Sequence, residues 1–241
     1  EAYRRRLHTV ALPDGAYAID KAFAGALALL LATGTPLNVS SLMGLILLGR
    51  YLVANAKGRY SRGSSETLLD QDLTTLKQGG GAPELIDRLR LQVGRLDVTA
   101  AELEGRNQRS ALFKTMFLAF RAAGAKDWRS NLAIALDHSG AQHRLQFHHI
   151  FPKAVLKVHY TDREADDIAN LAFIGGKTNR AISDKPPANY FPALVEKAGE
   201  AAFAAQCIPT DGALLQVQSY KEFLVQRRAT VAQRLNDFLG T

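Results

Sequence analysis

A single cysteine, Cys207, stands among 241 residues, which excludes an internal disulfide framework and a cysteine-based structural zinc site. So sparse a thiol content fits a reducing compartment, and the expected location is cytoplasmic. Long apolar runs are also missing. Ala22–Ala32 is broken by Thr33-Gly34-Thr35-Pro36, and Asn38, Ser40 and Ser41 interrupt the next stretch, whereas a membrane-spanning helix needs roughly 20 continuous apolar residues. The two pieces read instead as core helices over 20–33 and 39–56. There is no signal-peptide pattern, no internal repeat and no low-complexity tract. No Gly-x-x-x-x-Gly-Lys-[Ser/Thr] loop occurs, so no phosphate cradle of that kind is encoded. His-Glu-x-x-His is absent too, which removes the zinc-protease reading.

Apolar material is plentiful enough for a core, 47% of the chain, without any metal or disulfide staple. Lys and Arg number 30 against 23 acids, giving a net charge of +7. The excess is spread over both halves rather than gathered in a tail. It suits a polyanionic partner. Arg50, Lys57, Arg59 and Arg62 are interleaved with Tyr51 and Tyr60, with no acid among them. Two readings stand: a phosphate-contacting patch with aromatic support, in which Arg59 and Arg62 touch DNA, or a solvated helix end whose cations complement the dipole. The chain opens at Glu1 rather than Met and reads as a piece of a longer protein.

Helix signals dominate. Ser64 or Ser65 caps a helix to about Lys77, which Gly79-Gly80-Gly81 ends, and Pro83 opens another to about Val93. Further helices are expected over 108–123, 188–205 and 220–239, the last with a Ser219–Glu222 capping box. Trp128, the one tryptophan, reads as a core anchor.

Residues 143–191 break this pattern. Arg144–His148 alternates and meets a proline turn, as a short strand does. Leu171–Ile174 forms a second apolar run, Lys177–Ser183 has helical character, and Pro186-Pro187 stops it. His148 and His149 close the first strand and point to opposite faces, so one can bind a metal while the other addresses a substrate. Asn170 precedes the second strand, and Asn179 lies on the helix after it. Phosphodiester hydrolysis needs a base for water and a cation for the phosphate charge. Imidazole suits the first task near neutrality, and a second histidine with an amide oxygen suits the second. Lys153, Arg180 and Lys185 surround these residues and would clamp the scissile strand. His143 and His159 read as structural, while His8 and His138 have no context. Asp162, Glu164, Asp166 and Asp167 read as a solvated turn with helix-start acids.

His148-His149-Ile150-Phe151-Pro152, Asn170-Leu171 and Asn179-Arg180, followed by Ile182-Ser183-Asp184-Lys185-Pro186-Pro187, resemble the HNH branch of the His-Me finger nucleases. More narrowly, they resemble the HNH domain of GmrSD-type restriction proteins and of SspE-like phage-defence effectors. Gly58-Arg59-Tyr60-Ser61, Asp70-Gln71-Asp72-Leu73 and Gly124-Ala125-Lys126-Asp127-Trp128 are similar to the region preceding that nuclease. The resemblance implies a mainly α fold with a small embedded ββα-metal motif. Residues 1–135 would form a helical connector that also contacts DNA, and 136–241 the nuclease with its C-terminal helical wrap.

The resemblance further implies His149 as the general base, His148 and Asn179 as metal ligands, and Asn170 as the residue that orients loop and base. The cofactor would be a divalent metal, Mg²⁺ first, with Mn²⁺ or another transition metal second. Many HNH enzymes carry Asp or Glu where His148 stands; imidazole also suits transition metals, whereas Mg²⁺ prefers oxygen. The partners would be double-stranded DNA and a preceding NTPase or sensor domain, with no membrane. One finger makes one cut, so a double-strand break calls for a homo-oligomer or two visits. The other readings are a catalytically idle DNA-binding or sensing module, and RNA as the substrate.

Overall fold

The computed structural model describes residues 52–59, 64–136, 138 and 140–241. The expected helices over 20–33 and most of 39–56 lie outside them, as does Arg62; residues 52–56 are helical. The described chain is mainly α, with one two-stranded sheet. Among the described residues no helix is long and apolar enough to cross a membrane. By contacts the chain divides between Val98 and Thr99 into two compact units. Residues 99–135, placed with the connector on sequence grounds, group with the strands.

In the first unit, α1 (Ser65–Lys77) starts where Ser64 accepts from the Thr67 N–H, and α2 (Ala82–Val93) follows the glycine turn with Pro83 in its first turn. Arg59 is buried and grips Asp72 of α1 with two hydrogen bonds, 2.9 and 2.6 Å, while Nη1 donates to Gln92 of α2. This fork joins two of the flanking sequence motifs. It also corrects the reading of Arg59 as a DNA contact, because a guanidinium committed at depth to a carboxylate is not offered to phosphate.

In the second unit, α3 (Ala100–Leu103) carries a Thr99–Glu102 capping box, and α4 (Ala111–Ala122) is capped by Ser110. Strand β1 (Leu145–His149) pairs antiparallel with β2 (Leu171–Gly175), His149 opposite Leu171 and Phe147 opposite Phe173. Between them lie α5 (Lys153–Leu156), α6 (Asp162–Ala165) and a 3-10 turn, Ile168–Asn170. Then come α7 (Gly176–Ile182), α8 (Pro187–Ala198), α9 (Glu200–Ala204) and α10 (Tyr220–Leu239). The single helix expected over 188–205 is split because Gly199 takes φ +78°, which L side chains rarely adopt. Ser219 belongs to a 3-10 turn, Val217–Ser219, that runs straight into α10 instead of standing as an N-cap.

The strands are positioned from both faces. Phe113 of α4 stacks on Phe173 at 5.0 Å, and Phe117 and Phe120 meet the same ring edge-on. On the other side lies the main core, where Trp128 stacks on Phe203 at 4.9 Å, and Phe151 packs against Phe223 and Tyr220. Trp128 is thus the anchor its composition suggests.

Among the described residues the outer edge of β2 is completed by side chains rather than by a third strand. Arg227 donates to the Leu171 carbonyl, Gln206 both accepts from and donates to the Phe173 backbone, and Asp127 accepts from the Gly175 N–H. Asp127 also accepts from Thr178 Oγ1 of α7 at 2.7 Å, fixing the angle at which helix leaves strand. Burial alone would raise its pKa, but hydrogen bonds from Ser130, Gly175 and Thr178 hold the carboxyl below its usual value. Gly176 opens α7 because a methyl there would sit 2.4 Å from the Ala141 carbonyl oxygen.

Candidate active site

Strand, strand and helix bring the predicted residues into two adjoining clusters. Period two along β1 puts Gln146 and His148 on one face and His149 off it. His148 is buried at 3% exposure. Its Nδ1 lies 2.8 Å from Asn179 Oδ1 on α7, and Asn179 Nδ2 donates to Gln146 Oε1 at 2.6 Å. On the other side His148 Nε2 faces the Tyr190 hydroxyl of α8 at 3.2 Å, and that hydroxyl donates to the Ile150 carbonyl. The Trp128 ring meets His148 edge-on at 5.9 Å.

Burial pushes the His148 pKa down to about 4; the Asn179 hydrogen bond resists this and His149 adds to it. The ring is therefore neutral at pH 7. The sign follows directly: a folded-state pKa below the ordinary 6.5 leaves stability complete above pH 6.5 and lost as pH falls from 6.5 towards 4, by up to about 3 kcal/mol. Chemical denaturation of the metal-free chain between pH 7.5 and 4 should show this loss, and His148→Gln should lack it. Equal pH slopes in the two proteins would remove His148 as the cause.

Two neutral donors, an imidazole nitrogen and an amide oxygen, thus face one another. Their 2.8 Å separation is that of a hydrogen bond. An imidazole nitrogen and an amide oxygen are also atoms that could hold a divalent metal. Among the described residues no group of three or more His, Cys, Asp or Glu converges on a metal position. A neutral donor pair favours transition metals over Mg²⁺ relative to a carboxylate site.

The second cluster holds His149, whose side chain is 28% exposed. Its Nε2 is 2.9 Å from Asp166 Oδ1, and Lys153 Nζ reaches both oxygens of the same carboxylate at 2.7 and 2.8 Å. Asn170, fully buried, accepts from the Phe151 N–H and donates to the Phe151 and Ala165 carbonyls. It staples the chain just beyond His149 to the chain just before Asp166. Arg227 of α10 fixes this staple from behind by donating to the Ala169 and Leu171 carbonyls on either side of it.

The remaining sequence candidates sort by position. Arg180 is exposed beside Asn179 and donates to the Ala141 carbonyl, and Lys185 is exposed at the exit of α7. His143 and His159 are exposed outside both clusters. The acid run is not one solvated turn: Glu164 serves the Thr161 capping box, Asp167 is buried and paired with Arg228, and Asp166 faces His149. Gln146, Asp166 and Tyr190 went unnamed as site residues. Gln146 carried a signal, since it stands two residues before His148 on a strand. Asp166 and Tyr190 carried none, because loop and helix bring them in from 17 and 42 residues away.

No family model, curated protein or solved structure matches this chain.

Proposed function

We propose that the chain is a divalent-metal-dependent DNA endonuclease of the HNH type, the effector part of a restriction or phage-defence protein. The observation that carries this reading is the β1–β2–α7 unit. It sets a neutral, buried His148 against Asn179 and leaves the next residue, His149, at the surface. A bound divalent cation would be held by His148 and Asn179 and would stabilise charge on the phosphate and leaving oxygen.

The chain's own groups do the rest. His149 takes a proton from the attacking water on its unengaged nitrogen. Tyr190 and Gln146 hold the two ligands, and Asn170 fixes the loop. Arg180 and Lys185 meet the phosphodiester backbone, which any sequence presents alike, and the reading implies 5′-phosphate and 3′-hydroxyl ends. The substrate is double-stranded DNA, and control comes from an NTPase or sensor domain elsewhere in the same protein.

Incubation with supercoiled plasmid in Mg²⁺, Mn²⁺ or Ni²⁺ should yield open-circle product that EDTA abolishes. Accompanying linear product would mean paired action by two copies. A chain that binds plasmid but does not cut it with any of these metals would be the idle binding module instead.

A further inference from the structure

We propose that Asp166 is a positioning residue for His149: its carboxylate selects the ring tautomer with the proton on Nε2 and so turns the Nδ1 lone pair outward to receive the proton of water. The proposal rests on the reading of His149 as the base.

The contact is 2.9 Å from Nε2 to Oδ1. An ionised carboxylate only accepts hydrogen bonds, so the nitrogen facing it must carry hydrogen. The other tautomer would set a lone pair against a charged oxygen at that distance. In a neutral ring one nitrogen donates and the other accepts. With Nε2 committed, Nδ1 is the basic atom.

The carboxylate is itself held. Lys153 bonds both of its oxygens, and the Asp166 N–H donates to the Asp162 carbonyl at the end of α6. The Asn170 staple then clamps Phe151 to Ala165, so the segments that carry base and carboxylate move as one. Lys153 has a second effect. A bare carboxylate beside the base would repel a phosphodiester, and the ammonium neutralises it. This gives Lys153 a role through Asp166, in place of the strand clamp its sequence position suggests.

The ring nitrogens of His149 can be read directly by ¹⁵N NMR of the full chain at pH 8.5, assigned by the peaks lost in His149→Gln. The wild type should show one protonated Nε2 and one bare Nδ1. Asp166→Asn should show a mixture, because an amide can donate or accept and cannot choose. Cleavage should fall at least about tenfold in Asp166→Asn and Asp166→Ala, with DNA affinity unchanged or tighter and the melting temperature of Asp166→Asn kept.

A merely structural role would be rescued by asparagine, which makes the same bond. An unaltered tautomer in both variants, or cleavage equal to or faster than wild type, overturns the proposal. The NMR readout needs no turnover. A wild type that fails to cut with any metal would defeat the nuclease reading, whereas tautomer selection would still be judged from the spectra.

Discussion

Replacing His149 by alanine should lower metal-dependent plasmid nicking by about 10²–10⁴-fold and leave DNA binding intact. The size follows from removing the one base the proposed chemistry has. Its cleanness follows from the fold. The ring stands at the end of β1 with its side chain 28% exposed, whereas the two residues after it, Ile150 and Phe151, are fully buried. Alanine therefore removes a surface imidazole without opening a cavity in the core. Lys153 keeps Asp166 occupied in the variant, so no carboxylate is stranded.

Asn179→Ala should also abolish nicking, but less cleanly, since it uncovers the buried His148 Nδ1 and releases Gln146. The pair of variants is read by gel for cleavage and by filter binding for affinity. Undiminished nicking in His149→Ala would remove the base assignment.

The largest effect on stability should come from Arg227→Met. Arg227 is fully buried and gives hydrogen bonds to three carbonyls, Ala169, Leu171 and Gln206, at 2.8, 2.8 and 3.2 Å. Burial pulls its pKa down to about 10, still well above neutrality, so the cation persists at depth. Methionine keeps most of the aliphatic stem but leaves three acceptors without their donor. Each buried acceptor left bare costs about 1–3 kcal/mol, while relief of charge desolvation returns part of that.

A net loss of about 3 kcal/mol, or roughly 6–12 °C in melting temperature, is expected. Nicking measured well below the new melting point should fall too, because Ala169 and Leu171 bracket Asn170. A melting temperature within about 2 °C of wild type would show that other contacts hold the turn.

The two variants also mark what a sequence can carry. Local signals were legible: Ser64 caps the helix it precedes, and the histidine pair falls at a strand end. The first strand was offset by one residue, because His149 pairs with Leu171 across the ladder and extends it. Within the site, the side chains carried by the two strands and the helix after them were nameable from period and motif. Asp166, Tyr190 and Arg227 were not. Each acts through a tertiary contact, and acids near a helix start or an arginine on a late helix look the same whether they face water or a carbonyl. Arg59 shows the converse, a basic stretch whose central arginine is internally paired.

The three side chains along the outer edge of β2 have a further consequence. A two-stranded hairpin ordinarily offers open ladders on which another chain can template a strand. Here Arg227, Gln206 and Asp127 occupy the Leu171, Phe173 and Gly175 positions of that ladder, so that side of the sheet is closed to enlargement, domain exchange and fibrillar stacking. Loss of Gln206 would thus reveal itself first as self-association at high concentration, in a protein whose His148–Asn179 pair is still in place.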